Sequence, residues 1–149
     1  EIGVWFCLQN RMACFTFRRI VDHYHDQFAS GLIKNSVMRY RPSHNVTLGP
    51  QLHFVNDYKG GMYGFISSHA ANVFAITSFL TFVLKDKWKW LWLLWIWAAT
   101  VSFSRIYLGV HYLSDIIGGA LSGIFFAWII SKLFFRINAR INKEMINEN

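Results

Sequence analysis

Residues 104 to 115 read Ser104-Arg105-Ile106-Tyr107-Leu108-Gly109-Val110-His111-Tyr112-Leu113-Ser114-Asp115, which sets an arginine, a histidine and an aspartate into an otherwise apolar stretch. His111 and Asp115 are four apart, so on a helix they share one face, where a carboxylate can hold and polarise an imidazole. Such a pair is equipped for nucleophilic attack or proton transfer. Two other groups carry comparable chemistry: Lys34, followed seven residues later by Arg41-Pro42, and Ser67-Ser68-His69. Lys34, Arg41 and Arg105 supply positive charge, and the two arginines can each grip a phosphate or carboxylate with a planar fork. Ser67 and Ser68 precede an apolar run, so either can cap a helix whose free amides and positive dipole end favour an anion.

What brings these groups together follows from the rest of the chain. Of 149 residues, 54% are hydrophobic and 18% aromatic, well above the aromatic share of soluble domains. The net charge of +7 sits in short clusters between long uncharged runs, the pattern of membrane flanks rather than of a nucleic-acid-binding face. Three segments, residues 64–84, 90–109 and 112–135, meet the requirement of about 20 apolar residues for a bilayer crossing. Lys85, Lys87 and Lys89 follow the first, and Lys132, Arg136, Arg140 and Lys143 follow the third. The positive-inside rule puts those ends in the cytoplasm. The opposite ends, with Ser67-Ser68-His69, Ser104-Arg105 and His111 to Asp115, then share the other face.

The expected fold is therefore all-α, an integral-membrane helical bundle with three transmembrane helices and a partial or missing amino-terminal helical part. The chain reads as a single domain over 1–149, with a non-cytoplasmic loop at 35–64, rich in Gly, Pro and polar residues, and a cytoplasmic tail at 136–149. Gly119-x-x-x-Gly123 in the third span suits close helix approach and carries no chemistry. Trp88, Trp92 and Trp95 read as one interfacial stripe beside the basic turn. Residues 1–30 lack an uninterrupted span, because Arg11, Arg18, Arg19, Asp22, His23, His25 and Asp26 break every candidate run. Cys7 and Cys14 have no metal-like or Cys-x-x-Cys spacing and read as packing residues.

Taken together, Lys34-x6-Arg41-Pro42, Ser67-Ser68-His69 and Ser104-Arg105-x5-His111-x3-Asp115 resemble, in order and spacing, the three-part signature of the type 2 phosphatidic acid phosphatase and vanadium haloperoxidase superfamily. The resemblance covers residues 34–135. One position departs from it: the second motif of that family usually reads Pro-Ser-Gly-His, and here Ile66 and Ser68 replace the proline and glycine. The resemblance implies a membrane lipid phosphatase in which His111 attacks phosphorus, Asp115 orients it and His69 protonates the leaving group. Lys34, Arg41, Ser67, Ser68 and Arg105 would bind the phosphate, without metal or other cofactor. The charge such a transfer develops on the equatorial oxygens is what those cations can stabilise.

The partners so implied are a lipid phosphate substrate and the bilayer, with no nucleic acid. Undecaprenyl diphosphate, phosphatidic acid and phosphatidylglycerol phosphate are candidate substrates. A lipid A phosphatase of the same family and a truncated, non-catalytic membrane protein are the alternatives; a vanadate-dependent haloperoxidase is disfavoured, since those enzymes are soluble and much longer. The expected location is a bacterial inner membrane, with the site on the periplasmic or extracellular face. Asp22-His23-Tyr24-His25-Asp26 resembles a metal cluster only superficially, because His-x-His on a helix points its rings apart. His44 and His53 are expected at the edge of the site, and Tyr40, Asn45, Tyr63 and Asn72 around it.

Overall fold

A computed structural model describes residues 30–147, except for 53, 55 and 56. The expectations for residues 1–29, including the two cysteines and the Asp22 to Asp26 run, lie outside the described residues, as does His53. Every regular element among the described residues is helical. Helix α1 spans Ser30–Val37, α2 Ser68–Leu84, α3 Trp92–Tyr107 and α4 Leu113–Asn147; short 3-10 turns lie at Pro42–His44, Gly49–Gln51 and Lys89–Leu91.

Helix α2 is the hub. It packs against both α4 and α3, whereas α3 and α4 barely touch. The contact with α4 is close because α4 presents glycines: a Cβ on Gly123 would stand 2.2 Å from the Ala71 carbonyl oxygen, and one on Gly119 2.5 Å from that of Ser67. Ala70, Ala71 and Ala75 answer from α2, all buried. Small residues on both sides allow backbone-to-backbone approach, the arrangement expected from Gly119-x-x-x-Gly123. Farther along, Phe79 meets Phe134 edge-on at 6.0 Å. Between α2 and α3 the seam is partly polar, with Trp95 Nε1 donating to Thr81 Oγ1 at 3.1 Å and Thr77 Oγ1 donating to the Leu94 carbonyl at 3.3 Å.

These bonds correct the expected tryptophan stripe. Trp88 is exposed but sits in extended backbone before α3, and half-buried Trp95 turns inward to α2. Trp88 and Trp92 remain on the surface next to the lysines, as do Trp90 and Trp97.

The helices also differ in length from three equivalent spans. Within α4, Leu113–Arg140 is long and apolar enough to cross a bilayer by length and composition. Helices α2 and α3 have 17 and 16 residues. The four residues before Ser68 run in non-helical backbone, and 3-10 geometry takes Lys89–Leu91, so both helices are shorter than the apolar runs that contain them. Conversely, α4 continues past Phe135 without a break, and the segment expected as a tail is helical to Asn147.

The 35–64 region is irregular but tied down. Met38, at φ 48, donates its amide to the Lys34 carbonyl at 2.9 Å and ends α1 in the left-handed region. The chain then doubles back so that residues 39–41 pair antiparallel with 62–64: Arg41 N donates to Met62 O at 3.1 Å and Gly64 N to Arg39 O at 2.9 Å. Farther out, Asn45 Oδ1 accepts the amides of Thr47 and Leu48, an Asx turn that shapes the loop tip.

Candidate active site

Ser67 opens α2: its side chain accepts the Ala70 amide at 3.4 Å, so it is the N-cap. The same residue donates its backbone N–H to the Asp115 carbonyl at 3.0 Å, which fastens the start of α2 to the start of α4. Two helix N-termini thus lie side by side, each with amides left over and a positive dipole end.

Asp115 is fully buried and sits in the first turn of α4. Its Oδ2 accepts the Tyr112 amide at 2.9 Å, and its own N–H donates to the Tyr112 carbonyl at 3.0 Å. This is the reciprocal half of a capping box, an acidic residue reaching back to the N-cap amide. His111 therefore precedes the helix rather than riding on it, contrary to the shared-face expectation. The two side chains still meet: His111 Nδ1 lies 3.5 Å from Asp115 Oδ2, within ion-pair reach though without a formed hydrogen bond. Such contacts commonly tighten only with substrate bound. Gly109, at φ +66, makes the turn that delivers His111 from the end of α3.

Burial pushes the His111 pKa below its ordinary value, and the positive charges of Arg41 and Lys34 push the same way, while Asp115 pulls upward. The imidazole is thus biased towards its neutral, nucleophilic form.

Two of the expected cations, Lys34 and Arg41, act on this pair. Lys34 Nζ, from α1, donates to Ser68 Oγ at 2.9 Å. Arg41 donates through Nε to the Tyr63 carbonyl at 3.2 Å, and burial lowers its pKa against the opposing pull of Tyr58 and Asp115. Gly60 and Gly64 make room for it: a Cβ on Gly60, whose φ is +67, would lie 2.5 Å from Arg41 Nη1, and one on Gly64 3.0 Å from Arg41 Cγ and 3.2 Å from Asp115 Oδ2. Arg105, on the last turn of α3, is half-buried, and its Nε lacks a hydrogen-bond partner among the described residues. His69 is exposed on the first turn of α2.

Other residues fall at the rim. His44 Nε2 contacts the Gly60 carbonyl at 3.2 Å, and Asn45 Nδ2 donates to Tyr112 Oη at 3.4 Å. Tyr40 and Tyr63 pack at 5.6 Å, and Asn72 Oδ1 is buried without a hydrogen-bond partner among the described residues.

One central residue escaped the sequence reading. Arg39 Nη1 donates to Asp115 Oδ1 at 3.1 Å and to Ser114 Oγ at 2.7 Å, with its guanidinium 4.3 Å above the Tyr112 ring. A usable signal existed: in extended backbone residues two apart point to one side, so Arg39 and Arg41 had to travel together.

Comparison with known proteins identifies the family. Two curated relatives are similar over most of the chain: the lipid A 4'-phosphatase of Bacteroides thetaiotaomicron, 33% identical over 120 residues, covers 80% of this chain and 53% of that protein. The lipid A 4'-phosphatase of Porphyromonas gingivalis is 35% identical over 115 residues, 77% of this chain and 48% of that protein. The chain thus spans about half the length of the curated relatives it matches. Among solved structures, a transmembrane PAP2-type phosphatidylglycerolphosphate phosphatase from Bacillus subtilis shares the fold, with a TM-score of 0.56 and 22% identity over 81% of this chain and 58% of that one. The PAP2 superfamily profile matches residues 12–139, and this chain belongs to that superfamily.

Proposed function

We propose that the chain carries the active site of a membrane-embedded phosphatase that releases phosphate from a lipid phosphomonoester or diphosphate through a phosphohistidine. The observation that carries this reading is the meeting of the buried His111–Asp115 pair with Lys34, Ser68 and Arg41 at the paired N-termini of α2 and α4. Asp115 faces Nδ1, which leaves Nε2 of His111 for attack on phosphorus. As the N–P bond forms, the bond to the lipid oxygen breaks, and that oxygen takes a proton from His69. Water then attacks the phosphohistidine, giving its proton back to His69 and releasing inorganic phosphate. Throughout, Lys34, Arg41 and Arg105, with the Ser68 amide at the start of α2, stabilise the charge on the equatorial oxygens.

Membrane insertion is supported by the apolar stretch in α4 and by the exposed Leu, Ile, Phe and Trp side chains along α3 and α4. The site would lie at the non-cytoplasmic surface, since Lys85, Lys87 and Lys89 follow α2 and Arg136, Arg140 and Lys143 lie towards the far end of α4. Substrate would enter sideways from the leaflet.

The test is phosphate release by the full chain from phosphatidic acid, undecaprenyl diphosphate, phosphatidylglycerol phosphate and lipid A, with His111→Ala alongside. Release by wild type from at least one of these, lost in His111→Ala, is expected. Equal release by both proteins would sink the nucleophile assignment, and the panel itself identifies the lipid.

A further inference from the structure

Arg39 occupies an unspecified position inside the first motif, yet it joins the irregular segment after α1 to the reacting pair. The Asp115 carboxylate is divided: Oδ1 is held by Arg39 at 3.1 Å, while Oδ2 faces the Tyr112 amide at 2.9 Å and His111 Nδ1 at 3.5 Å. The guanidinium is itself held, by Ser114 Oγ at 2.7 Å and by the Tyr112 ring 4.3 Å beneath it. Both supports flank the carboxylate in sequence, so one side chain clamps Tyr112, Ser114 and Asp115 as a unit. A carboxylate anchored at one oxygen cannot rotate freely about its terminal torsion, and its other oxygen keeps one heading.

We propose that Arg39 is a positioning residue for the reaction: by holding Oδ1 it keeps Oδ2 of Asp115 on His111, and its charge tempers the pull of that carboxylate on the imidazole proton. The inference rests on His111 being the nucleophile, as argued above. The charged groups acting on His111 are Asp115 from α4, Lys34 from α1 and Arg41 from the following segment, while α2 carries His69 in its first turn and α3 carries Arg105 in its last. Replacing Arg39 removes none of these groups. Removing the Arg39 charge leaves Asp115 to attract the imidazole proton more strongly, so His111 stays protonated to a higher pH.

The decisive experiment measures kcat, KM and their pH profiles for the full chain in detergent, with para-nitrophenyl phosphate and phosphatidic acid as probes, while melting curves check folding. Arg39→Gln should lower kcat by about tenfold to a hundredfold, the range for partners that orient a functional histidine. KM should change little, and the acidic limb of kcat/KM should move to higher pH. Arg39→Lys retains the charge and should keep the limb in place while recovering part of kcat. In an Asp115→Ala background Arg39→Gln should cost almost nothing, because the residue it acts through is gone.

A folded Arg39→Gln with wild-type kcat and limb, while His111→Ala is inactive, overturns the positioning role and leaves the nucleophile standing. A loss of rate equal at every pH and repeated in the Asp115→Ala background marks a merely structural residue, and overturns it too. Should Arg39→Gln fail to fold, Arg39→Lys decides, since a shifted limb with the charge retained contradicts the proposal. Activity surviving in His111→Ala removes the underlying reading instead.

Discussion

At the residue scale the proposed chemistry depends on keeping one imidazole neutral beside Lys34 and Arg41. Burial is the largest cause of the lowered His111 pKa, with Arg41 and Lys34 adding to it and Asp115 opposing. A nucleophile must be unprotonated, so kcat/KM should hold as pH falls through 6.5, the ordinary histidine value, and decline only below it. Stability follows the same group: between 6.5 and the lowered folded value the unfolded chain binds the extra proton, so thermal stability should drop as pH falls through that window. A stability maximum inside that window in the wild type, unchanged in His111→Ala, would contradict the assignment. Asp115→Asn removes the charge that stabilises the imidazolium, and by comparison with other carboxylate–histidine pairs should cost about a thousandfold or more in kcat. Gly60→Ala acts on substrate binding instead: with φ at +67 and a Cβ 2.5 Å from Arg41 Nη1, it displaces the guanidinium and should raise KM more than it lowers kcat. The motifs and the family they resemble singled out Lys34, Arg41, Ser67, Ser68, His69, Arg105, His111 and Asp115 as expected site residues. They passed over Arg39, whose two-residue spacing from Arg41 is informative only once the left-handed turn at Met38, a position without a glycine, leads the chain into extended backbone.

The elements act as pairs of ends. Ser67 and Asp115 join the starts of α2 and α4 through one backbone hydrogen bond of 3.0 Å, and the glycines of α4 hold the two axes close enough for it. Gly123→Ala must push against the Ala71 carbonyl and the Ala75 amide, and should destabilise by about 1–3 kcal/mol, read as a lower melting temperature in detergent. Gly119→Ala presses directly on Ser67 O, so it should also cut phosphate release per folded molecule. Gly61→Ala, with open space around its Cβ position, is the control and should melt as wild type does. Helix boundaries were less legible than helix identities. Hydropathy marks where a chain is apolar, whereas a cap marks where it is helical: Ser67 delays α2 and the Tyr112–Asp115 box delays α4 past His111. That is why a pair expected on one helical turn meets across a helix start.

For the whole molecule, the proposed orientation puts residues 39–64 on the non-cytoplasmic side. Val46 is 92% exposed at the loop tip, so Val46→Cys, in a chain with Cys7 and Cys14 replaced, should react with an impermeant thiol reagent from outside the cell. Labelling only after the membrane is breached would invert the topology. The reaction proposed for this site relies on side-chain cations rather than a metal ion. Phosphate release should therefore persist in excess chelator, and its loss there with recovery on added magnesium or zinc would refute that part. Helix α4 has one more consequence. Its 35 residues rise to about 50 Å, whereas the hydrocarbon layer is about 30 Å thick. In the proposed orientation, with its first turn at the active-site surface, the surplus would emerge at the opposite surface as a rod bearing exposed Arg136, Arg140 and Lys143 among the anionic headgroups of the inner leaflet. The proposed reaction centre and the basic rod are two ends of a single helix, so lipid charge gripped at one end would fix the depth at which the other meets its substrate.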